Sequence, residues 1–128
     1  MMGKQVPKDF CKQILGFDKT IRFAGIADKF GKVIMEEYRK GTFPLLSKEE
    51  AALSVMQASI RMGSRKTMQP RLGKIVYSFT LHEKVKRATV PLSNHSVLMV
   101  SFDTEVDHES IIFKKILPLI KEHGLHRD

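Results

Sequence analysis

The sequence has one cysteine, no tryptophan and no long apolar run. A single cysteine, Cys11, excludes an intrachain disulfide and a zinc cage built from cysteines. No stretch approaches the roughly 18 consecutive apolar residues of a membrane span, and the first residues lack the apolar core of a signal peptide. We therefore expect a cytoplasmic protein without membrane insertion.

The sequence also lacks the motifs of common enzyme classes. It contains no G-x-S-x-G nucleophile elbow, no P-loop and no G-x-G-x-x-G motif. Cys11 lies among apolar residues, where a lone cysteine is typical of a small buried hydrophobe. His123 and His126 are three residues apart, but Gly124 separates them at the expected end of a helix. We expect no catalytic residues, no metal and no cofactor.

Basic residues outnumber acidic residues, 22 to 14, which gives a net charge of +8 and a pI of about 9.7. Such a surface attracts anionic partners, including nucleic acid, anionic lipid and acidic protein surfaces. The same charge also keeps a small domain soluble, so it does not identify a partner.

The 128 residues contain no internal repeat and no linker, which predicts a single domain over 1–128. Two elements carry clear local signals. Asp28 and Gly31 suit the turn of a hairpin, and Ser47 with Glu50 forms an S-x-x-E capping box at the start of a helix. The predicted elements are a helix at 7–17, a hairpin at 21–40, a helix at 47–67, strands at 74–83, 85–92 and 96–102, and a helix at 108–123.

Two prolines limit the hydrogen bonding of the predicted elements. Pro91 indicates that part of the fourth strand lacks a partner on its N–H side. Pro118 removes a hydrogen bond inside the last helix, which therefore bends there or ends earlier, and Asp107 is its predicted N-cap. The whole pattern predicts a mixed α/β (α+β) fold with a central five-stranded antiparallel sheet flanked by helices.

The segment 61–74 carries five basic residues and no acidic residue: Arg61, Arg65, Lys66, Arg71 and Lys74. Guanidinium groups bind phosphate or carboxylate in a bidentate manner, so the segment is a candidate site for an anion, RNA or DNA. The alternative is a solvated helix end whose cations complement the helix dipole. A third interpretation is a sensor of the PAS type, with a small-ligand pocket lined by Phe23, Tyr38, Phe79 and Met99.

The order helix, strand, strand, helix, three strands, helix resembles the roadblock-like domains, which are related in architecture to the profilin and longin folds. The local match is 23–33, a strand of small apolar residues followed by D-x-x-G and a second strand. The segments 21–25, 45–50 and 73–77 together are also similar to a family of uncharacterised archaeal proteins.

The roadblock resemblance implies a non-catalytic scaffold or a regulator of small GTPases. It also implies a homodimer or heterodimer in which the middle helix and the following strand of two subunits pair. The interface candidates are Ala52, Met56, Ile60, Ile75, Tyr77 and Phe79. The other interpretation is that this helix face packs on its own sheet. The strong basicity departs from the family. We expect a non-enzymatic, dimeric interaction module, with nucleic-acid binding and ligand sensing as alternatives.

Overall fold

The computed structural model describes residues 6–126. Five strands form one sheet: β1 Ile21–Ala27, β2 Val33–Tyr38, β3 Ser78–Leu81, β4 Lys86–Pro91 and β5 Val97–Phe102. The α-helices are α1 Phe10–Leu15, α2 Lys48–Arg65, α3 Gln69–Leu72, α4 His108–Ile111 and α5 Leu117–Glu122. A 3-10 turn joins α2 to α3, and the π-helical segment Ile112–Ile116 joins α4 to α5. Within 6–126 no helix is both long and apolar enough to cross a membrane.

The sheet has the order β2-β1-β5-β4-β3, and every neighbouring pair is antiparallel. β1 and β5 lie at the centre and pair from Ile21 opposite Phe102 to Ala27 opposite Val97. This arrangement confirms the predicted α/β fold with a five-stranded antiparallel sheet.

The two faces of the sheet are covered unequally. α1 and the helices after β5 cover one face, where Phe10, Ile14, Leu98 and Ile116 belong to the larger core. α2 covers the other face with a smaller core, whose buried members are Ala27, Val55, Ala58, Met62, Val97 and Met99. Cys11 is buried in the larger core, and burial raises the pKa of its thiol to about 12, as expected for an unreactive side chain.

The local signals in the sequence are confirmed. The Ser47 amide donates to Glu50 Oε1 at 2.9 Å, and the Glu50 amide donates to Ser47 Oγ at 3.1 Å. In the hairpin turn, Asp28 Oδ1 accepts from the amides of Phe30 and Lys32, while Gly31 has a φ of +83°. A Cβ on Gly31 would lie 3.1 Å from Met56 Cα, so this turn rests against α2.

β3 is shorter than the predicted strand 74–83, because it spans only Ser78–Leu81. Ser78, the first residue of β3, lies opposite Thr89 of β4. Extending the ladder by two residues would therefore place Val76 opposite Pro91. Pro91 has no N–H to donate, which stops the ladder there, as its place in the sequence predicted. The first helix is also shorter than 7–17, since only Phe10–Leu15 is helical.

The predicted helix 108–123 is divided into three parts. Asp107 caps it as expected, with its Oδ1 accepting from the Ser110 amide at 3.2 Å. The π-helical segment precedes Pro118, the second residue of α5. A wider turn before a proline relieves the clash between the proline ring and the carbonyl of the previous turn. The helix therefore changes its winding where Pro118 was expected to bend or end it.

One side chain ties the α1–β1 connection to the end of β2. The guanidinium of Arg39 donates to the carbonyl oxygens of Ile21 at 2.7 Å, Asp18 at 2.9 Å and Leu15. One partly buried cation thus serves three backbone carbonyls, of which that of Asp18 also accepts from the Ile21 amide at 3.2 Å.

We expect Arg39→Met to lower the free energy of unfolding by about 1–3 kcal/mol, because charge-assisted hydrogen bonds are lost while the apolar stem remains. Urea denaturation followed by circular dichroism measures the change. Arg71→Met, at an exposed position on α3, is the control and is expected to change it by less than about 0.5 kcal/mol. Equal stabilities of the two variants would show that the Arg39 bonds contribute nothing.

Candidate functional site

A cavity of about 900 Å³ lies beside α2, which we call the α2 cavity. Its walls are one flank of α2, the loop 42–47 and the face of the sheet that α2 covers. The volume falls within the range typical of small-molecule sites.

The side of the cavity near β1 and β2 is apolar and aromatic. Phe23 and Tyr38 are cross-strand neighbours with ring centroids 4.7 Å apart, and Val55 of α2 and Met99 of β5 line the cavity with them. A Cβ on Gly25 would lie 2.6 Å from Phe23 Cζ, so the glycine leaves room for the Phe23 ring to lie along the strand. Phe23, Tyr38 and Met99 were predicted to line a pocket, and they do.

The opposite side of the cavity is basic. Arg87 of β4 is half-buried, and its Nη2 donates to Ser54 Oγ of α2. Burial, followed by the charge of Arg61, lowers the pKa of the Arg87 guanidinium. Within residues 6–126 the one ion pair joins Arg22 to Asp103 at 3.2 Å, so neither Arg61 nor Arg87 has a carboxylate partner there.

The five basic residues of the predicted anion site have different surroundings in the structure. Arg61 lines the α2 cavity, and Arg65 Nη1 donates to Ser78 Oγ of β3 at 2.6 Å. Lys66 and Lys74 line a second, shallow cavity of about 540 Å³, and Lys66 Nζ also contacts His95 Nδ1. Arg71 is exposed on α3 and lines neither cavity. Arg87, outside the predicted segment, is the side chain that joins Arg61.

The predicted interface residues are divided between the two faces of the sheet. Ala52, Met56 and Ile60 are exposed on α2, whose sheet-facing residues are instead Val55, Ala58 and Met62. The interpretation that the Ala52, Met56 and Ile60 face packs on its own sheet is therefore wrong.

The strand residues of that predicted interface pack within the chain. Ile75 contacts the smaller core. Tyr77 contacts the larger core, with its ring 5.8 Å from that of Phe113. Phe79 stacks on His108 at a centroid distance of 3.8 Å. Phe79 thus lies on the face opposite the α2 cavity and is not one of its lining residues.

β3 has one edge without a strand partner among the described residues. The His82 amide donates to the Val85 carbonyl at 2.9 Å, which makes them a hydrogen-bonded pair. Because such pairs alternate in an antiparallel ladder, the backbone N–H and C=O groups of Phe79 and Leu81 point away from β4. The open edge therefore presents unpaired backbone groups.

We expect Arg87→Met to leave the free energy of unfolding unchanged or to raise it by about 1 kcal/mol. The variant removes a half-buried charge that has no carboxylate partner, but solvent at the cavity mouth limits the gain. Thermal and urea denaturation measure it, with Arg71→Met as the exposed control. A loss above about 1 kcal/mol would show that Arg87 stabilises the fold through its charge.

His108 provides a pH-dependent contribution to stability. Burial and the charge of Lys86 lower the pKa of its imidazole below the ordinary 6.5, and its Nδ1 is buried without a hydrogen-bond partner. The unfolded chain therefore binds this proton more readily than the folded chain. The resulting stability is present above pH 6.5 and is lost as the pH falls toward the folded-state pKa.

We expect the melting temperature of the wild type to fall more than that of His108→Gln when the pH is lowered from 7.5 to 5. Differential scanning calorimetry at several pH values measures the difference. His82→Gln, at an exposed position, should behave like the wild type. Parallel curves for the wild type and His108→Gln would contradict this account.

Comparison with known proteins gives similarity in structure rather than in sequence. The sequence matches no protein-family model and no curated protein. The Roadblock/LC7 domain from Streptomyces avermitilis has a TM-score of 0.70 at 12% identity, covering 92% of this chain and 94% of that chain. MglB from Myxococcus xanthus has a TM-score of 0.70 at 13% identity, covering 90% and 89%.

The gliding protein MglB from Thermus thermophilus has a TM-score of 0.62 at 15% identity, covering 89% of this chain and 76% of that chain. The similarity to archaeal proteins stays a prediction. At these identities the likeness establishes the fold. With its sheet order, its helices on both faces and these structural neighbours, the chain has the roadblock-like fold.

Proposed function

We propose that this chain is a non-catalytic interaction module that pairs with a second copy or a related subunit and acts as a scaffold or regulatory subunit. The observation that carries the proposal is the open edge of β3 on the same molecule as an exposed apolar face of α2. That face consists of Leu53, Met56 and Ile60, with exposed fractions of 55%, 50% and 64%.

The helix supports the proposal because it is apolar on two sides. Val55, Ala58 and Met62 are buried against the sheet, which leaves Leu53, Met56 and Ile60 in contact with solvent. A surface helix with a single packing partner is normally polar on its outer side. Contiguous exposed apolar residues are typical of a protein interface.

The sheet edge supports the proposal through its backbone. The outward N–H and C=O groups of Phe79 and Leu81 can pair with another strand in the manner of β-augmentation. A second β3 strand would continue the sheet from one copy into the next. In this arrangement Tyr77 and Phe79 would contribute backbone groups, because their side chains pack within the chain.

The structural neighbours are consistent with assembly. A solved MglB structure, at 16% identity and a TM-score of 0.63, has a tetrameric arrangement. The roadblock resemblance also implies that the partner regulated by such a module is a small GTPase. We propose this class of partner for the paired form of the chain.

Nucleic-acid binding is the less favoured alternative. Its five predicted residues have different surroundings: Arg61 lines the α2 cavity, Arg65 donates to Ser78, Lys66 and Lys74 line the second cavity, and Arg71 is exposed on α3. The open edge of β3 and the exposed apolar residues of α2 instead favour a protein partner.

We expect size-exclusion light scattering of nuclease-treated protein to give a mass near twice 14.6 kDa across a tenfold concentration range. Ile60→Glu should shift the mass toward 14.6 kDa, because pairing would bury a charge without a partner. Ile60 is exposed, so the variant should keep its circular dichroism spectrum.

Leu72→Glu is the matched control, since it introduces the same charge at a leucine that is 81% exposed on α3, outside the α2 face. Its mass should equal that of the wild type. A monomeric wild type, or equal effects of Ile60→Glu and Leu72→Glu, would contradict pairing through α2.

A further inference from the structure

We propose that the α2 cavity is a binding site for a small amphipathic carboxylate, with the carboxylate at Arg87 and the apolar body against Phe23, Val55 and Met99. The site belongs to one chain and does not depend on the proposed pairing. The proposal goes beyond a scaffold, because it gives the module a soluble small-molecule ligand.

The first argument is the uncompensated charge on the β4 side. Arg87 is half-buried and donates to Ser54 Oγ, and it has no ion pair within the described residues. A charge removed from water is costly unless it is paired. Arg61, a second cation lining the cavity, adds repulsion that a bound anion would relieve. A carboxylate matches the planar donors of a guanidinium group.

The second argument is the distribution of charge across the cavity. Glu36, on β2, and Arg87, on β4, both line the cavity from strands that are three spacings apart in the sheet. At about 4.8 Å per spacing, the acidic and basic ends are separated by roughly 14 Å. At the β4 end Arg61, Lys84 and Arg87 outnumber Glu83, whereas at the β2 end the nearby Arg22 is already paired with Asp103, so an anion is favoured at the β4 end.

The third argument is the apolar lining of the cavity between Glu36 and Arg87. Phe23, Val55 and Met99 form a wall that suits a hydrocarbon chain, and Phe43 and Leu45 continue it into the loop 42–47. Hydroxyl groups at Ser54, Thr89 and Ser101 also line the cavity. A few polar groups in a mostly apolar cavity are typical of a small-ligand site.

Isothermal titration calorimetry with octanoate and octanol tests the proposal, because the two probes share a chain and differ in charge. We expect the wild type to bind octanoate about tenfold or more tightly than octanol, the magnitude typical of hydrogen bonds to charged groups. Arg87→Met should bind octanoate no better than octanol while its affinity for octanol stays unchanged. Arg71→Met is the matched control and should retain the preference of the wild type.

Several results would overturn the proposal. They are equal affinities for the two probes, an octanoate preference that survives in Arg87→Met, and the loss of octanol binding in that variant. Ile60→Glu should bind octanoate like the wild type, which separates this site from the proposed pairing. Binding that requires the paired form would overturn a site contained in one chain.

A bilayer is the other source of acyl chains with anionic groups. Sedimentation with vesicles of phosphatidylglycerol, compared between the wild type and Arg87→Met, distinguishes it from a free ligand. We expect no Arg87-dependent sedimentation. Vesicle binding that is lost in Arg87→Met would overturn the soluble ligand in favour of a membrane surface.

Discussion

The pairing of β1 with β5 is the constraint on which the rest of the structure depends. Both strands are largely buried, and their antiparallel register extends from Ile21 opposite Phe102 to Ala27 opposite Val97. A one-residue slip would exchange the residues facing the two cores, so the alternation of side chains holds the register. β2 and β4 then add to the outer edges of this pair, and β3 follows β4.

The unequal covering of the two faces determines where a partner or ligand has access. On the larger-core face, α1 and the helices after β5 bury the sheet with residues of the same chain. On the other face, α2 packs near β1 and β5, and the surface near β4 carries polar residues such as Arg87 and Thr89. The open edge of β3, the α2 cavity and the exposed α2 residues are therefore neighbouring features of the less covered side.

Signals contained in a few neighbouring residues were readable from the sequence. The capping box of Ser47 and Glu50, the Asp28 turn and the Asp107 cap each depend on groups within about four residues. The helical period shows which α2 residues share a face, but it does not show which face meets the sheet. Both the Val55, Ala58 and Met62 side and the Met56 and Ile60 side are apolar, and the strands that decide between them lie far along the chain.

The candidate site was only partly predictable for the same reason. Phe23, Tyr38 and Met99 were assigned correctly to a pocket. Strand alternation places them on one face of the sheet, and α2 covers that face. Arg61 joins Arg87, 26 positions away, instead of its neighbours Lys66 and Lys74, because the chain turns between α2 and β3. Phe79 was assigned to the pocket but points to the other face, as its stacking on His108 shows.

The π-helical segment Ile112–Ile116 also restricts how the length of the chain can vary. A π-turn holds one residue more than an α-turn, so the extra residue is accommodated within 112–116, and Leu119 and Ile120 face the larger core. Removing one residue between 112 and 116 would restore ordinary α-helical winding and leave α5 close to its present direction, because four α-helical residues at about 100° each complete nearly the same rotation as five π-helical residues. Leu119 and Ile120 would then still face the larger core. The cost of such a deletion would therefore fall on Pro118, whose ring would again meet the carbonyl of the preceding turn.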